Sequence, residues 1–491
     1  MHNTKWLALS LASIVGVACS DAAHTGDAPG DPESSPTASE PKATAVVASL
    51  PDAGVSARTL KVSEGAVAVR VPPSTECVIH PEGAPVDSTR TAKISAGADG
   101  EIRFFLGPEA QAWGTRLAVE CTLDGKAQGR RLVDLDDSST FLAKSNADLQ
   151  PKVVRTRPAL TGDLSTYAPN DLIPKGYSPR PDAIKNPQEY AEWVKGVSSP
   201  VDIYDAVPVT MLGAKAGTGT FEGTSGSTAD QNPWTGFVQS AGGFQNFNSS
   251  NGNFPLAVFG ALYQEYSVSM LAPFTFGCTN NNCSSSFMWA GIGGWPTDFF
   301  GIFSPDLLQS GFMTIPFGSG PVVKLFAEWV GQSRMDPPVT FNTGGKFASG
   351  DRFQIIGFAG DANCALKTPP SVGCFFFYDV TNAWIVAGRA PFPTSSTWWP
   401  VTTEYVYERS SAGMNENYFA ETMTGEGIDT GGTAHLDPGN PAGNGDPYIV
   451  VTQFDSHGNA CSTAGWANGA ASTSHPPQDP MALVFNNCGP N

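Results

Sequence analysis

Charge is scarce in this chain. Asp, Glu, Lys and Arg make up 15% of its 491 residues, and the net balance is −18. Nucleic acid and anionic lipid would both repel such a surface, so neither is an expected partner. Histidine is scarcer still, six residues and scattered. No Cys-x-x-Cys pair occurs, which removes the usual zinc arrangements, so no metal or other cofactor is expected. No Gly-x-Ser-x-Gly elbow is present, and His435, His457 and His475 lie in Gly/Pro-rich loop sequence, so a serine triad lacks its parts. The apolar run Trp6 to Val17 is too short to span a bilayer, and no other segment is a candidate. From about residue 205 onward there is almost no helix signal, and no internal repeat is visible.

Turn formers and aromatics are plentiful instead: 53 Gly, 40 Pro, 29 Phe and 11 Trp, the profile of an exported all-β protein. Lys5, the short apolar run and the small residues ending at Cys19 read as a lipoprotein signal peptide over residues 1–19, with Cys19 the lipidated residue. Gly16 stands where Leu is usual, so a plain secretory signal is the alternative. The expected location is outside the cytoplasm, at the outer membrane or cell surface, with membrane contact only through the N-terminal lipid. Residues 20–56, rich in Ser, Pro, Ala, Gly and Asp, read as a disordered tether.

Nine cysteines less Cys19 leave eight, an even number in an exported chain. Proximity along the chain pairs Cys77 with Cys121, Cys278 with Cys283, Cys364 with Cys374 and Cys461 with Cys488, one of many connectivities that eight cysteines allow.

Short alternating strands separated by turn residues predict a small β-domain over residues 57–135. Residues 136–204 are Pro-rich and basic in places, with one helix expected from Pro187 to Val197, and read as a connector or part of a propeptide. Residues 205–491 carry many strands at short spacing with Gly/Pro/Asn turns, which predicts a sandwich. Expected strands there include Thr235–Gln239, Tyr263–Met270, Phe287–Ile292, Gly311–Ile315, Val322–Val330, Arg352–Phe358, Cys374–Asp379, Trp384–Val386 and Glu404–Glu408.

Seven segments of this region fall in an informative order. They are Asn232-Pro233-Trp234-Thr235-Gly236, Trp289-Ala290-Gly291-Ile292-Gly293-Gly294, Leu308-Gln309-Ser310-Gly311, Phe326-Ala327-Glu328-Trp329, Gly350-Asp351, Tyr378-Asp379-Val380-Thr381 and Thr403-Glu404-Tyr405-Val406-Tyr407-Glu408. In that order they resemble the glutamic peptidases, or eqolisins, over roughly residues 230–415. The resemblance implies an antiparallel β-sandwich of two curved, concanavalin-like sheets, and an acid-acting endopeptidase with a Gln–Glu catalytic pair and no cofactor. Carried over by motif, the catalytic residues are Gln309 and Glu408, facing each other from neighbouring strands. Trp289, Phe326, Glu328, Trp329 and Glu404 are the expected substrate-binding residues, and a polypeptide is the expected substrate of a monomeric protein. Three positions depart from the family pattern: Gly293 and Lys324 each stand where the family has Asp, and Phe326 where it has Trp.

Amide hydrolysis needs a base for water, a donor for the oxyanion and an acid for the leaving amine. A Glu carboxylate supplies the first and last of these, and a Gln amide donates at any pH. Strand alternation puts Glu404, Val406 and Glu408 on one face and Tyr405 and Tyr407 on the other; two carboxylates flanking one valine are natural for a solvated cleft. A paired-carboxylate glycosidase built on Glu404 and Glu408 fits poorly, because i and i+4 on one strand lie roughly 13 Å apart. The alternative to a peptidase is a surface lipoprotein that binds carbohydrate or peptide through a lectin-like sandwich, or an inactive peptidase homologue.

Overall fold

A computed structural model describes residues 46–47, 56–59, 67–134, 151–212, 234–273, 285–293, 306–330, 337–409 and 422–436, with gaps of a few residues. It also describes the backbone of strands between 448 and 485. Residues from Pro41 onward belong to one compact unit. It is an all-β sandwich. The first large sheet has the spatial order Ser56–Thr59, Val67–Arg70, Glu101–Leu106, Val207–Leu212, Val339–Asn342, Gly320–Val330, Leu307–Phe317, Ser286–Gly293, Thr403–Arg409, Trp234–Gln239, Tyr448–Val451. The second runs Gln453–Phe454, Ala460–Trp466, Met481–Phe485, Thr422–Asp429, Tyr263–Leu271, Arg352–Gly360, Val372–Asp379, Trp384–Pro391, Val201–Asp205, Lys152–Arg157.

Alternation divides each strand of the first sheet between two environments. Phe237, Met288, Ala290, Ile292, Leu308, Phe312, Leu325, Ala327, Trp329, Tyr405 and Tyr407 turn toward the second sheet and form the main core with its Tyr263, Tyr266, Val268, Phe353, Phe375 and Phe377. Glycines of the second sheet receive several side chains of the first. A β-carbon at Gly425 would overlap the Tyr405 ring, one at Gly427 would overlap Thr403, and one at Gly373 would overlap Leu308. A β-carbon at Gly388 would stand 2.5 Å from Phe341 Cζ. Behind the strand that carries Gln309, the Tyr266 hydroxyl and Ser310 Oγ are 2.6 Å apart across the core.

The nine expected strands of this region are all present, several a few residues longer than read. The helix spans Pro187–Val197, as expected. Other strands went unread, among them Lys152–Arg157, Val201–Asp205, Val207–Leu212, Val339–Asn342 and Thr422–Asp429. Two make parallel pairs in an otherwise antiparallel fold, Val201–Asp205 with Trp384–Pro391 and Val207–Leu212 with Glu101–Leu106. Their short runs, interrupted by Asp and Pro, carry too little pattern to be read alone. The N-terminal β-module is therefore no free-standing lobe. One of its layers, Val67–Arg70 and Glu101–Leu106, continues the first large sheet. The other is a five-stranded sheet in the order Val46–Val47, Lys126–Asp134, Arg116–Leu123, Glu76–Pro81, Ala92–Ser95. Two parts of the expected tether are thereby ordered: Val46–Val47 pairs with the strand Lys126–Asp134, and Ser56 pairs with Arg70.

Disulfides join Cys77 to Cys121 and Cys364 to Cys374. The pairs Cys278–Cys283 and Cys461–Cys488, the signal peptide and Cys19 lie outside the residues whose side chains are described. The motif segments Gly350-Asp351 and Tyr378–Thr381 meet at a turn, where the Asn382 amide donates to Asp351 Oδ2 and Asp379 Oδ2, both at 2.9 Å.

Glu265, on the outer face of the second sheet between Phe358 and Ile428, is fully buried, and neither of its carboxyl oxygens has a hydrogen-bond partner among the described residues. Burial pushes its pKa up to about 8. An unfolded carboxyl releases its proton near 4.5, so the folded chain binds more protons between those values. Stability is then fullest below that window and declines as pH rises through it, at up to about 1.4 kcal/mol per pH unit. Urea midpoints measured across the window will fall less steeply for Glu265→Gln than for the parent; equal slopes would contradict this account. Filling a glycine socket with Gly425→Ala is expected to cost about 1–3 kcal/mol of unfolding free energy by denaturant titration.

Candidate active site

The other face of the first sheet carries the site. Cross-strand register aligns its residues in rows. One row reads Glu328, Gln309, Gly291, Glu404, Val238; the next reads Phe326, Gly311, Trp289, Val406, Gly236; a third reads Lys324, Met313, Phe287, Glu408, Trp234. Residues in a row share a face, so Gln309 and Glu404 rise on either side of Gly291. Their backbones are two strand spacings apart, roughly 10 Å. Gly291 has no side chain of its own between them, and the Leu307 side chain closes over it, its Cδ1 2.9 Å from where a β-carbon would stand. A β-carbon there would stand 2.8 Å from Leu308 O and 3.2 Å from the β-carbon of Gln309.

This register corrects the expected pairing. Glu408 lies two rows away, roughly 13 Å along its strand from Glu404, and its strand is separated from that of Gln309 by Ser286–Gly293. Gln309 and Glu408 are not brought together; Gln309, Glu404 and Glu328 are. The short motif Glu-x-x-x-Glu offers two carboxylates on the same face, and nothing in the sequence states which one the register selects. Trp289, Phe326, Glu328 and Glu404 occupy the site face as expected. Trp329 does not, because alternation turns it into the main core, where its ring centroid lies 4.8 Å from that of Trp398.

Nor is the face solvated. Gln309, Glu404 and Glu408 have 0% exposure and Glu328 has 1%. The site is closed over in this structure.

Hydrogen bonds orient the groups. Gln309 Nε2 donates to Glu328 Oε2 at 2.9 Å, while Gln309 Oε1 has no hydrogen-bond partner among the described residues. A primary amide has two N–H groups, so one stays uncommitted in this bond. Trp289 Nε1 donates to Glu408 Oε2 at 2.9 Å, so Glu408 anchors the indole beside Gly291. Thr402, which no motif singles out, contacts both Gly293 O at 2.7 Å and Glu404 Oε1 at 3.0 Å. Its hydroxyl has one proton, and a carbonyl only accepts. With that proton given to Gly293, the contact to Glu404 is satisfied when the carboxyl carries a proton and donates it. The electrostatics agree: burial first, with the Glu408 charge adding to it, holds the Glu404 pKa well above the usual range, against the Thr402 bond. Gly293 has φ +90°, and a β-carbon there would overlap Asp306 O. Asp at this position would be strained.

No protein-family model matches the chain, and no curated protein matches it in sequence. Among solved structures it is similar to scytalido-glutamic peptidase bound to a peptide-based transition-state analog. Identity is 12% and the TM-score 0.31, over 52% of this chain and 99% of that one. It is similar also to SCP-B, a member of the Eqolisin family of peptidases, in complex with the tripeptide Ala-Ile-His, at 12% identity and a TM-score of 0.28 over the same shares. A tailspike protein 2 domain of bacteriophage CBA120 matches at 10% identity and a TM-score of 0.21, over 44% of this chain and 31% of that one. These are distant likenesses of fold, and the chemistry of the site rests on its own residues.

The carboxyl of Glu404 is expected to titrate at lower pH in Glu408→Gln than in the parent, because a repelling charge is removed. Carbon-13 NMR of labelled Glu side chains reads this directly, and an unmoved Glu404 would show that the two carboxyls are not coupled.

Proposed function

We propose that this chain is a glutamic endopeptidase acting in acid, with Gln309 and Glu404 as its catalytic pair. The observation that carries the reading is the row Glu328–Gln309–Gly291–Glu404, which sets an amide and a carboxyl on either side of a glycine. A peptide carbonyl and a water would take the place that the Leu307 side chain holds over Gly291 in the closed site. In the closed site Glu404 keeps its proton. When substrate and water enter, burial is relieved and the carboxyl returns toward its ordinary range, where part of it is ionised in mild acid.

As carboxylate, Glu404 takes a proton from the water that attacks the carbonyl carbon. The uncommitted N–H of Gln309 donates to the oxygen on which negative charge develops, and Gln309 Oε1 accepts a hydrogen bond from the water. Glu328 holds the amide in the orientation that makes both contacts. Collapse of the tetrahedral species breaks the C–N bond, and Glu404 returns its proton to the departing nitrogen. Trp289, fixed by Glu408, lines the floor beside the reacting atoms.

A carbohydrate-binding surface has less support. Among the described residues the large exposed hydrophobics are Val86, Val153, Val154, Ile184 and Val380, with no aromatic platform. Location at a cell surface through lipidated Cys19 remains part of the proposal.

The test uses residues 20–491 incubated with an unfolded protein between about pH 2 and 6, around the Glu range, with mass spectrometry of released peptides. Glu404→Gln and Gln309→Ala are each expected to lose about 100-fold or more of the parent rate. Glu408→Gln is expected to lose far less. Full activity in Glu404→Gln beside an inert Glu408→Gln would return the catalytic role to Glu408, and an inactive parent would refute the peptidase reading.

A further inference from the structure

We infer that the N-terminal β-module is a permanent wall of the site rather than a removable propeptide, and that its Phe105 helps set which substrate side chain the site accepts. The second part rests on the peptidase reading; the first stands on packing alone.

The row that carries Gln309 does not stop at Glu328. Ala327 pairs with Val339, Val339 with Thr210, and Met211 with Phe105. Stepping along these strands brings Pro338 opposite Glu328 and Met211 opposite Pro338, with the Met211 amide donating to Pro338 O at 3.0 Å. The row thus ends on Met211 and on Phe105 of the module. Side-chain packing follows the same line. Ala68 and Phe105 of the module and Val209 and Met211 of the joining strand share one buried cluster with Phe287, Trp289, Leu307 and Phe326. Lys324 sits over the Phe105 ring, its Nζ 5.9 Å from the centroid. Two departures from the family pattern, Lys324 and Phe326, therefore fall where the module meets the site. An aromatic ring enters from the module where the sheet's own strand has given up a larger one.

The module is tied down from behind as well. Val67, Val69, Ile102 and Phe104 face a second core, which includes Leu212 and the Cys77–Cys121 disulfide. The chain then passes through the second sheet before it returns to the first. Val201–Asp205 lies between Lys152–Arg157 and Trp384–Pro391. Buried Arg157 donates to Gly176 O at 2.6 Å and Gly196 O at 2.9 Å, and its guanidinium lies 4.6 Å from the Tyr177 ring centroid and 4.7 Å from that of Tyr378. Shedding residues up to 205 would strip strands from both sheets and open the Phe105 cluster.

Two measurements test this. In the first, a specific protease site is placed between residues 134 and 151 and cut in the folded chain. The two pieces are expected to co-elute by size exclusion and to keep the parent's tryptophan fluorescence. Release of the module from a still-folded remainder would overturn the wall. In the second, Phe105→Ala and Phe105→Leu are compared with the parent on peptides that vary one side chain near the cleaved bond. Phe105→Ala is expected to raise KM about tenfold for peptides with a large apolar residue there, with a smaller change in kcat, and Phe105→Leu to recover part of it. Unchanged selectivity in an active Phe105→Ala would overturn the role of Phe105. Intact mass after acid incubation checks that the active protein retains the module, since activity in a species that has lost it would contradict the inference. An inactive parent refutes the peptidase reading and the role of Phe105 with it, while the cut chain still decides the wall.

Discussion

The fit of large side chains into glycine sockets across the core is the constraint on which the site depends. Leu308 and Tyr405 press against Gly373 and Gly425 of the second sheet. Their chain neighbours are Gln309 and Glu404, and on a pleated strand a residue fixed on one face fixes the next on the other. A slip by one residue would send the amide and the carboxyl into the apolar core and bring tyrosine and leucine to the site. The sockets accept one register only, because the added bulk of any β-carbon would push the sheets apart. The bond between Tyr266 and Ser310 adds a polar link at the same depth, directly behind Gln309. The precision of the site is thus set by the core behind it.

That placement comes with an electrostatic consequence. Three carboxyls share a buried face, and the cation aligned with them, Lys324, stands over Phe105 at the edge. Charging a carboxyl on such a face carries a desolvation cost that only a close partner offsets. For Glu404 burial favours the protonated form, and the Thr402 contact has the geometry expected of it. Glu265, far from this face, follows the same rule in a still more apolar setting. A fold that buries carboxyls in this way is most stable where they are neutral.

Much of this was legible in the residues. Aromatic alternation in Phe287–Ile292 and Val322–Val330 revealed strands, and Tyr405 and Tyr407 were rightly set on the face opposite Glu404. What the sequence hides is pairing. Gln309 lies nearly a hundred residues from Glu404, and only the intervening Ser286–Gly293 strand aligns them. A pattern read along one strand cannot tell which of two carboxylates on the same face stands opposite a given partner, so Glu408 and Glu404 were interchangeable until register separated them. Trp329 misled for a related reason. It sits next to Glu328, and adjacency in a motif is opposition in a strand. Val201–Asp205 and Val207–Leu212 were missed because parallel pairing joins segments far apart in the chain and leaves no turn signature between them.

The two parallel joins also explain why this chain departs from the simpler sandwich that its motifs imply. An antiparallel hairpin can be added to an edge and lost again with little effect on its neighbours, whereas a parallel strand has to be reached by a crossover through the rest of the structure. Here the crossover runs from the module through the second sheet and back, pinned by Arg157. Once the chain is threaded in this way, the module's inner layer is held against the site face and its side chains become part of that face. Selection on the site would then act on Phe105 as directly as on Phe326, although the two lie more than two hundred residues apart.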